Sequence, residues 1–324
     1  MITCDSNIPY YGKGEYLLQA VRRMLAQNVP EKLHNVTVFD DCSPDPATRY
    51  IPASWQARCS VIRNPTNVGM VPNWNACLQY GTRECVHLPH GDDLLDPSFL
   101  SLVLPIFKHH PEVGLVHTNY RPLFSRRTST RYWGALLRRQ QQRGNDIVFF
   151  EAGDEAVRHV MQGVICSSAI LRRNAVLDVG LFREDLPYSS DEEYWARVAS
   201  RWGVAYVPEP LTTYRYHSSN HQLKTWLAPD FWSNMLATRQ ARYAHLVSPT
   251  RNEFSAETLA TARLATGIAL KLLASGYVDD ARTYLGHAST SCPDVTADKW
   301  FRRVSTWASQ DGVGRLKAWL RSSH

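Results

Sequence analysis

His90-Gly91-Asp92-Asp93-Leu94-Leu95-Asp96-Pro97 is the stretch that decides how this chain is read. Two adjacent carboxylates follow directly on the apolar-leaning run Cys85-Val86-His87-Leu88-Pro89. A strand that ends in paired acids holds a hard divalent cation at the rim of a sheet, and such a cation commonly clamps a diphosphate. That is the chemistry of a nucleotide-activated substrate.

The same order of strand, then polar loop, then helix recurs on either side. Leu17, Leu18, Val21, Met24 and Leu25 fall at helical spacing within residues 15–25. The β-branched run Asn35-Val36-Thr37-Val38-Phe39 leads into the acidic loop Asp40-Asp41-Cys42-Ser43-Pro44-Asp45. Ser60-Val61-Ile62 leads into Asn64-Pro65-Thr66-Asn67-Val68-Gly69, with a helix predicted over 72–80. The strand at 85–88, a helix over 97–109 and a strand at 113–117 follow. Such alternation predicts an α/β fold: a Rossmann-like, mostly parallel sheet flanked by helices, with ligands beyond the carboxyl ends of its strands. Asp41 and Asp92 both fall there. The stretch Cys4-Asp5-Ser6-Asn7 is polar where a first strand should be apolar, so that strand is expected to be short or its start truncated.

Residues 121–143 break the pattern with Ser125-Arg126-Arg127-Thr128-Ser129-Thr130-Arg131 and Arg138-Arg139-Gln140-Gln141-Gln142-Arg143. They read either as a solvated basic loop or as a flap contacting an anionic acceptor. Regularity returns with a helix over 172–179, the Asp191-Glu192-Glu193-Tyr194-Trp195-Ala196-Arg197 segment, and strands at 204–207 and 211–217. From residue 229 the chain is helical and rich in Ala, Leu, Arg and Trp, with helices over 258–273 and 278–288 separated by Gly276. Residues 1–222 are therefore expected to form the catalytic domain. Residues 223–324 are expected to form a C-terminal helical subdomain for acceptor binding or oligomerisation, with a homodimer contact among its tryptophans.

A chain of 324 residues that is 44% hydrophobic and 20% charged has the composition of an ordinary globular protein. No apolar run reaches the roughly 18 residues of a membrane span, and the N-terminal residues lack the order of a signal peptide, which places the protein in the cytoplasm. Seven scattered cysteines without a Cys-x-x-Cys pair argue against a disulfide framework or a zinc site. A net charge of +6 favours acidic partners, and with no nucleic-acid-binding module present these are expected to be nucleotide-sugars, anionic lipids or an acidic carrier protein.

Taken in order, Ile8-Pro9-Tyr10-Tyr11, Val38-Phe39-Asp40-Asp41-Cys42-Ser43, Asn64 to Gly69 with Asn73-Trp74-Asn75, His90-Gly91-Asp92-Asp93, Gly180-Leu181-Phe182 and Asp191 to Arg197 resemble the family 2 (GT-A fold) glycosyltransferases. Each motif alone is weak; together they span residues 8–220. The resemblance implies that Pro9 and Tyr11 pack against a nucleotide base. It also implies that Asp41 accepts hydrogen bonds from that base or its ribose, a role set against capping its own turn. Asp92 and Asp93 are implied to bind Mn2+ or Mg2+ and the donor, with His90 standing where the family usually has the first acid. His217 matches a histidine that reaches the metal or diphosphate in many relatives. Asp191 matches the general base, with Glu192 as the fallback and helix N-capping as the structural alternative.

The implied activity is a metal-dependent inverting transfer of one sugar, with a UDP-sugar as donor, to a hydroxyl or amine. The acceptor would be a small molecule, a carrier-bound intermediate or a lipid-linked glycan. A sugar nucleotidyltransferase and a catalytically silent binding module remain as rivals. The first lacks a clear Gly-rich basic loop, since Tyr11-Gly12-Lys13-Gly14 is only a faint version. The second is motivated by His90.

Overall fold

The computed structural model describes residues 1–12, 14–124, 146–216, 225–309, 314 and 316. His217, most of the basic 121–143 segment and Trp319 lie outside them. Two compact units result: Met1–Asn220 with Ser233–Val247, and His221–Trp232 with Ser248–His324.

The first unit is built on a nine-stranded sheet. Its strands are β1 (Cys4–Tyr10), β2 (His34–Asp40), β3 (Cys59–Arg63), β4 (Cys85–His87), β5 (Leu94–Leu95), β6 (Val113–Phe124), β7 (Val148–Phe150), β8 (Ala169–Arg172) and β9 (Gly203–Tyr216). The spatial order is β3-β2-β1-β4-β8-β6-β9-β5, with β7 also paired to β9. The run β3-β2-β1-β4 is parallel, as the alternating pattern predicts. Strand β8 opposes both β4 and β6, whereas β6 and β9 are again parallel.

Helices cover both faces of this sheet. On one, Leu17, Val21 and Met24 of α1 (Gly14–Leu25) and Phe99, Val103 and Phe107 of α3 (Phe99–His109) pack with Ile8, Val38 and Val116. On the other, residues from α2 (Met70–Gln79), α4 (Asp154–Val160), α5 (Arg173–Val179) and α6 (Ser190–Arg201) pack with Val86, Leu115, Leu171 and Val204. The helical period seen in residues 15–25 is thus the core-facing stripe of α1.

The polar start of β1 does not shorten it. It is a seven-residue strand whose residues are buried throughout, apart from half-buried Pro9. Burying a polar side chain is costly only when it lacks a partner, and Asp5, Ser6 and the Asn7 amide nitrogen all have partners, which leaves Asn7 Oδ1 as the one orphaned atom of the strand. Asp5 accepts from the backbone N–H of Arg83 at 3.0 Å, from Arg173 Nη2 at 3.1 Å and from Asn35 Nδ2 at 3.2 Å. Asn7 donates to the carbonyls of Cys77 and Tyr80. Gly81 makes room for the Asp5 cluster: at φ +88° it sits so close that a Cβ would lie 2.1 Å from Asp5 Oδ2.

Two strands are longer than their sequence pattern suggests. Residues 204–207 and 211–216 belong to one strand, β9, whose parallel partner β6 runs on to Phe124 instead of stopping near residue 117. Ladder pairing with a long neighbour carries the backbone through Pro208 and Pro210, where periodicity alone signals a break.

Helix α7 (Phe231–Tyr243) is followed by the second unit's main helices. Here α8 (Arg251–Ala274) packs on α9 (Val278–Ser291), and α10 (Lys299–Trp307) completes the described part. α8 begins well before residue 258 because Thr250 and Glu253 form a reciprocal capping box. Gly276, at φ +90°, turns the chain into α9. Within this unit Trp232 stacks on His287 at 5.2 Å, and Lys271 lies 4.5 Å from the Trp226 ring. Among the described residues no helix is long and apolar enough to cross a membrane.

Asp5→Ala removes the partner of two largely buried arginines. It is expected to lower unfolding free energy by about 3–5 kcal/mol, read from urea denaturation.

Candidate active site

The site residues collect at the carboxyl ends of β1, β2 and β4, where the alternating pattern places ligands. Strand β4 ends at His87, and the chain turns through Leu88-Pro89-His90-Gly91-Asp92-Asp93 before β5. Asp93 is the buried member of the acid pair, 1% exposed, while Asp92 is half-buried. Asp93 Oδ2 accepts the Ser167 hydroxyl at 2.6 Å, and Oδ1 accepts the backbone N–H of Arg215 at 3.0 Å. The Arg215 side chain donates through Nε to the Asp92 carbonyl at 2.8 Å and lies 4.4 Å from the Tyr16 ring. Burial, then the charge of Asp92, raises the Asp93 carboxyl well above the usual carboxylate range.

His90 belongs to the same group. One ligand atom from each of His90, Asp92 and Asp93 lies within 4.8 Å of the other two, the one such group among the described residues. The His90 ring packs on Trp74 at 5.0 Å, and its buried Nε2 has no hydrogen-bond partner. Burial lowers its pKa, so the imidazole is neutral and keeps a lone pair for a cation. When ionised, Asp93 would also retain capacity, because a carboxylate has about four acceptor positions and two are used among the described residues. One imidazole and two carboxylates suit a divalent ion such as Mn2+. The sequence assigns the cation to Asp92, Asp93 and His217; His90, at the family's first acidic position, stands beside the two acids in the fold.

Asp191 lies in the first turn of α6. It does not N-cap the helix, since Ser189 occupies that position with a left-handed φ of 57°. Asp191 Oδ2 is 3.7 Å from Cys166 Sγ. Burial, then the charge of Glu192, pushes its carboxyl up to about 7. The turn Cys166–Ser168 thus touches Asp191 through Cys166 and Asp93 through Ser167. Tyr214 faces the same acids: burial, followed by the charges of Asp93, Tyr216, Asp92 and Asp191, raises its hydroxyl pKa well above the ordinary value.

Glu192 and Glu193 are both committed elsewhere. Glu192 pairs with buried Arg242. Glu193, 1% exposed, accepts from Arg197 Nη2 at 3.1 Å and from His245 Nε2 at 2.9 Å. Arg197 also donates to the carbonyls of Val179 and Leu181, anchoring the Gly180-Leu181-Phe182 loop.

The predicted base-binding residues are spread over neighbouring loops. Pro9 is half-buried, and Tyr11, just past the end of β1, is 49% exposed. The Pro9 carbonyl lies 3.5 Å from where a Gly91 Cβ would stand, so β1 and the acidic loop are adjacent. Asp41 is 2% exposed, and its carboxylate accepts from Asn64 Nδ2, Asn67 Nδ2, Val68 N–H and Gly69 N–H at 2.9–3.0 Å. Those four bonds use its whole acceptor capacity. Asp41 therefore organises the 64–69 loop, and a base N–H reaching it would have to displace one of these donors.

Asn73-Trp74-Asn75 braces the same region. Asn73 donates to the Phe39 carbonyl at 3.2 Å. Asn75 makes a two-way bond with the Phe182 backbone, accepting its N–H at 2.9 Å and donating to its carbonyl at 3.1 Å. Trp74 packs between His90 and Phe182, at 5.0 and 5.5 Å.

Against known proteins, residues 7–180 match the model of glycosyl transferase family 2. The chain belongs to that family. It is a glycosyltransferase with the GT-A fold. "Uncharacterized protein MT1568" of Mycobacterium tuberculosis (strain CDC 1551 / Oshkosh) is 26% identical over 216 residues, a match covering 64% of this chain and 66% of that protein. Among solved structures, TarS 1-349 of S. aureus in complex with UDP-GlcNAc superposes with a TM-score of 0.65 at 14% identity, covering 100% of this chain and 93% of that one. The mannosyltransferase PcManGT of Pyrobaculum calidifontis, in complex with GDP-Man and Mn2+, gives 0.56 at 14% identity, covering 99% and 87%.

Asn75→Leu leaves two Phe182 backbone groups buried without partners. It is expected to cost about 2–3 kcal/mol of stability by urea denaturation.

Proposed function

We propose that this glycosyltransferase is metal-dependent and inverting, and moves one sugar from a nucleotide diphosphate donor to an acceptor hydroxyl or amine. UDP is the proposed nucleotide. The observation that carries the reading is the pairing of a cation-binding group, His90 with Asp92 and Asp93, with a separate carboxyl, Asp191, whose pKa of about 7 suits a general base. The UDP-GlcNAc complex of TarS and the GDP-Man and Mn2+ complex of PcManGT support a nucleotide-sugar donor and a divalent cation.

His90, Asp92 and Asp93 would hold the cation, which supplies charge neutralisation for a leaving diphosphate. Asp191 takes the proton of the acceptor as its oxygen or nitrogen bonds to the anomeric carbon. The bond from that carbon to the donor phosphate oxygen breaks, and the nucleoside diphosphate leaves with the electron pair. One displacement inverts the anomeric centre. Burial, and after it the negative charge of Glu192, keeps Asp191 basic enough to accept a proton near neutral pH. Tyr11 and Pro9 offer the surface for the base, and Asp41 acts through the 64–69 loop. The basic 121–143 segment and the helical 223–324 region are the proposed acceptor determinants, and an acidic carrier protein or lipid-linked glycan would suit their charge.

Asp191→Asn is expected to lower transfer by about 10²–10⁴-fold while UDP binding with Mn2+ is kept, compared by product assay and calorimetry. Full turnover in that variant would sink the base assignment; loss of UDP binding would make Asp191 structural. The acid limb of the kcat/KM–pH profile should fall near pH 7, because Asp191 works ionised. Glu192→Gln removes a neighbour that raises the Asp191 pKa, so the limb should move to lower pH; an unmoved limb would detach it from Asp191.

A further inference from the structure

The polar residues of β1 raise a question that their burial partners answer only in part. Asp5 and the Asn7 amide nitrogen are satisfied locally, but Ser6, fully buried, opens a hydrogen-bonded line across the sheet. His34 Nε2 is 2.9 Å from Ser6 Oγ, and Ser6 Oγ is 3.4 Å from His87 Nδ1. His87 Nε2 is 3.0 Å from the Ser167 carbonyl. The Ser167 hydroxyl donates to Asp93 Oδ2 at 2.6 Å and accepts the His90 backbone N–H at 2.9 Å. Ser6 and His87 are direct partners in the parallel β1–β4 register, so the line follows from strand pairing.

Chemistry fixes the direction of each bond. A carbonyl only accepts, so His87 must carry its proton on Nε2. A neutral imidazole then has Nδ1 as acceptor, which requires the Ser6 hydroxyl to donate to it. Ser6 Oγ in turn accepts from His34 Nε2–H. Burial keeps both rings neutral, lowering His34 to about 3 and His87 to about 4. His87 is also stacked on Phe99 at 5.1 Å, which holds its plane. A line with one proton arrangement is rigid, and bonds along it polarise one another.

We propose that Ser167 and, behind it, His87 and Ser6 are positioning residues for the cation group. Ser167 fixes both ends of the His90–Asp93 loop with one hydroxyl, and His87 fixes Ser167 by its carbonyl. This rests on the reading of His90, Asp92 and Asp93 as metal ligands. Groups that orient metal ligands from behind typically carry a 10–100-fold share of metal affinity.

The test is Mn2+ binding by the nucleotide-free full chain, measured by calorimetry and by electron paramagnetic resonance of free Mn2+. The variants are Ser167→Ala, Ser6→Ala, His87→Leu and His87→Gln, with circular dichroism confirming the fold of each. Ser167→Ala is expected to raise Kd about 10–100-fold. His87→Leu should raise it too, and His87→Gln, which can still donate to the Ser167 carbonyl, should return it close to the wild-type value. Ser6→Ala should weaken binding in the same direction. Wild-type Kd in folded Ser167→Ala would overturn the positioning role. Equal loss in both His87 variants would assign the effect to packing on Phe99 and overturn the His87 link. If His87→Leu fails to fold, Ser167→Ala decides. Wild-type protein that binds no Mn2+ would overturn the metal reading itself, and the positioning role with it.

Discussion

A carboxylate removed from water must be partnered, and Asp93 imposes that requirement where several elements meet. Its two oxygens draw a hydroxyl from the turn before β8 and a backbone N–H from the end of β9. The acidic loop is thus held between two strands far apart in sequence, and Asp92 and His90 inherit their placement from it. Replacing Ser167 by an apolar residue would leave one buried Asp93 oxygen without its partner, a cost of about 1–3 kcal/mol. The antiparallel β8, set between β4 and β6, is what brings Ser167 to this point.

The other motifs act as braces around the same loop. Asn75 and Arg197 both seize the Gly180-Leu181-Phe182 backbone, one from α2 and one from α6. Trp74 fills the space between that loop and His90. Since Arg197 also pairs with buried Glu193 next to Asp191, Asp191 and the His90–Asp92–Asp93 group stand on one interlocked frame. Small shifts in such a frame are resisted by packing rather than by any single contact.

Much of this was legible in the sequence because it depends on period and punctuation. The stripe Leu17, Val21 and Met24, the strand-loop-helix alternation and the acids after β4 all follow local rules. Strand β1 is not legible, since the partners that make Asp5, Ser6 and the Asn7 amide tolerable in a core lie from 28 to 168 residues away. The joining of 204–207 and 211–216 into one strand was hidden for a like reason: it is imposed by β6. His90 is visible as a departure from the family's usual acid, but its ring's closeness to Asp92 and Asp93 comes only with the fold. Ser167 and Arg215 carried no local signal, since each matters through what folding places beside it.

The saturation of Asp41 has a consequence for how enzymes of this design could diverge. Its carboxylate is spent on shaping the 64–69 loop, with Gly69 at φ +94° supplying one of the four donors. The acid therefore behaves as a hub that lends its loop a form, much as a bound ion would. Around a fixed hub, Pro65, Thr66 and Val68, whose side chains make no bond to Asp41, can vary while Asn64, Asn67 and the fold beneath are left untouched. Donor preference would then drift by exchange of loop residues, and the acid would persist through changes of nucleotide as a part of the scaffold.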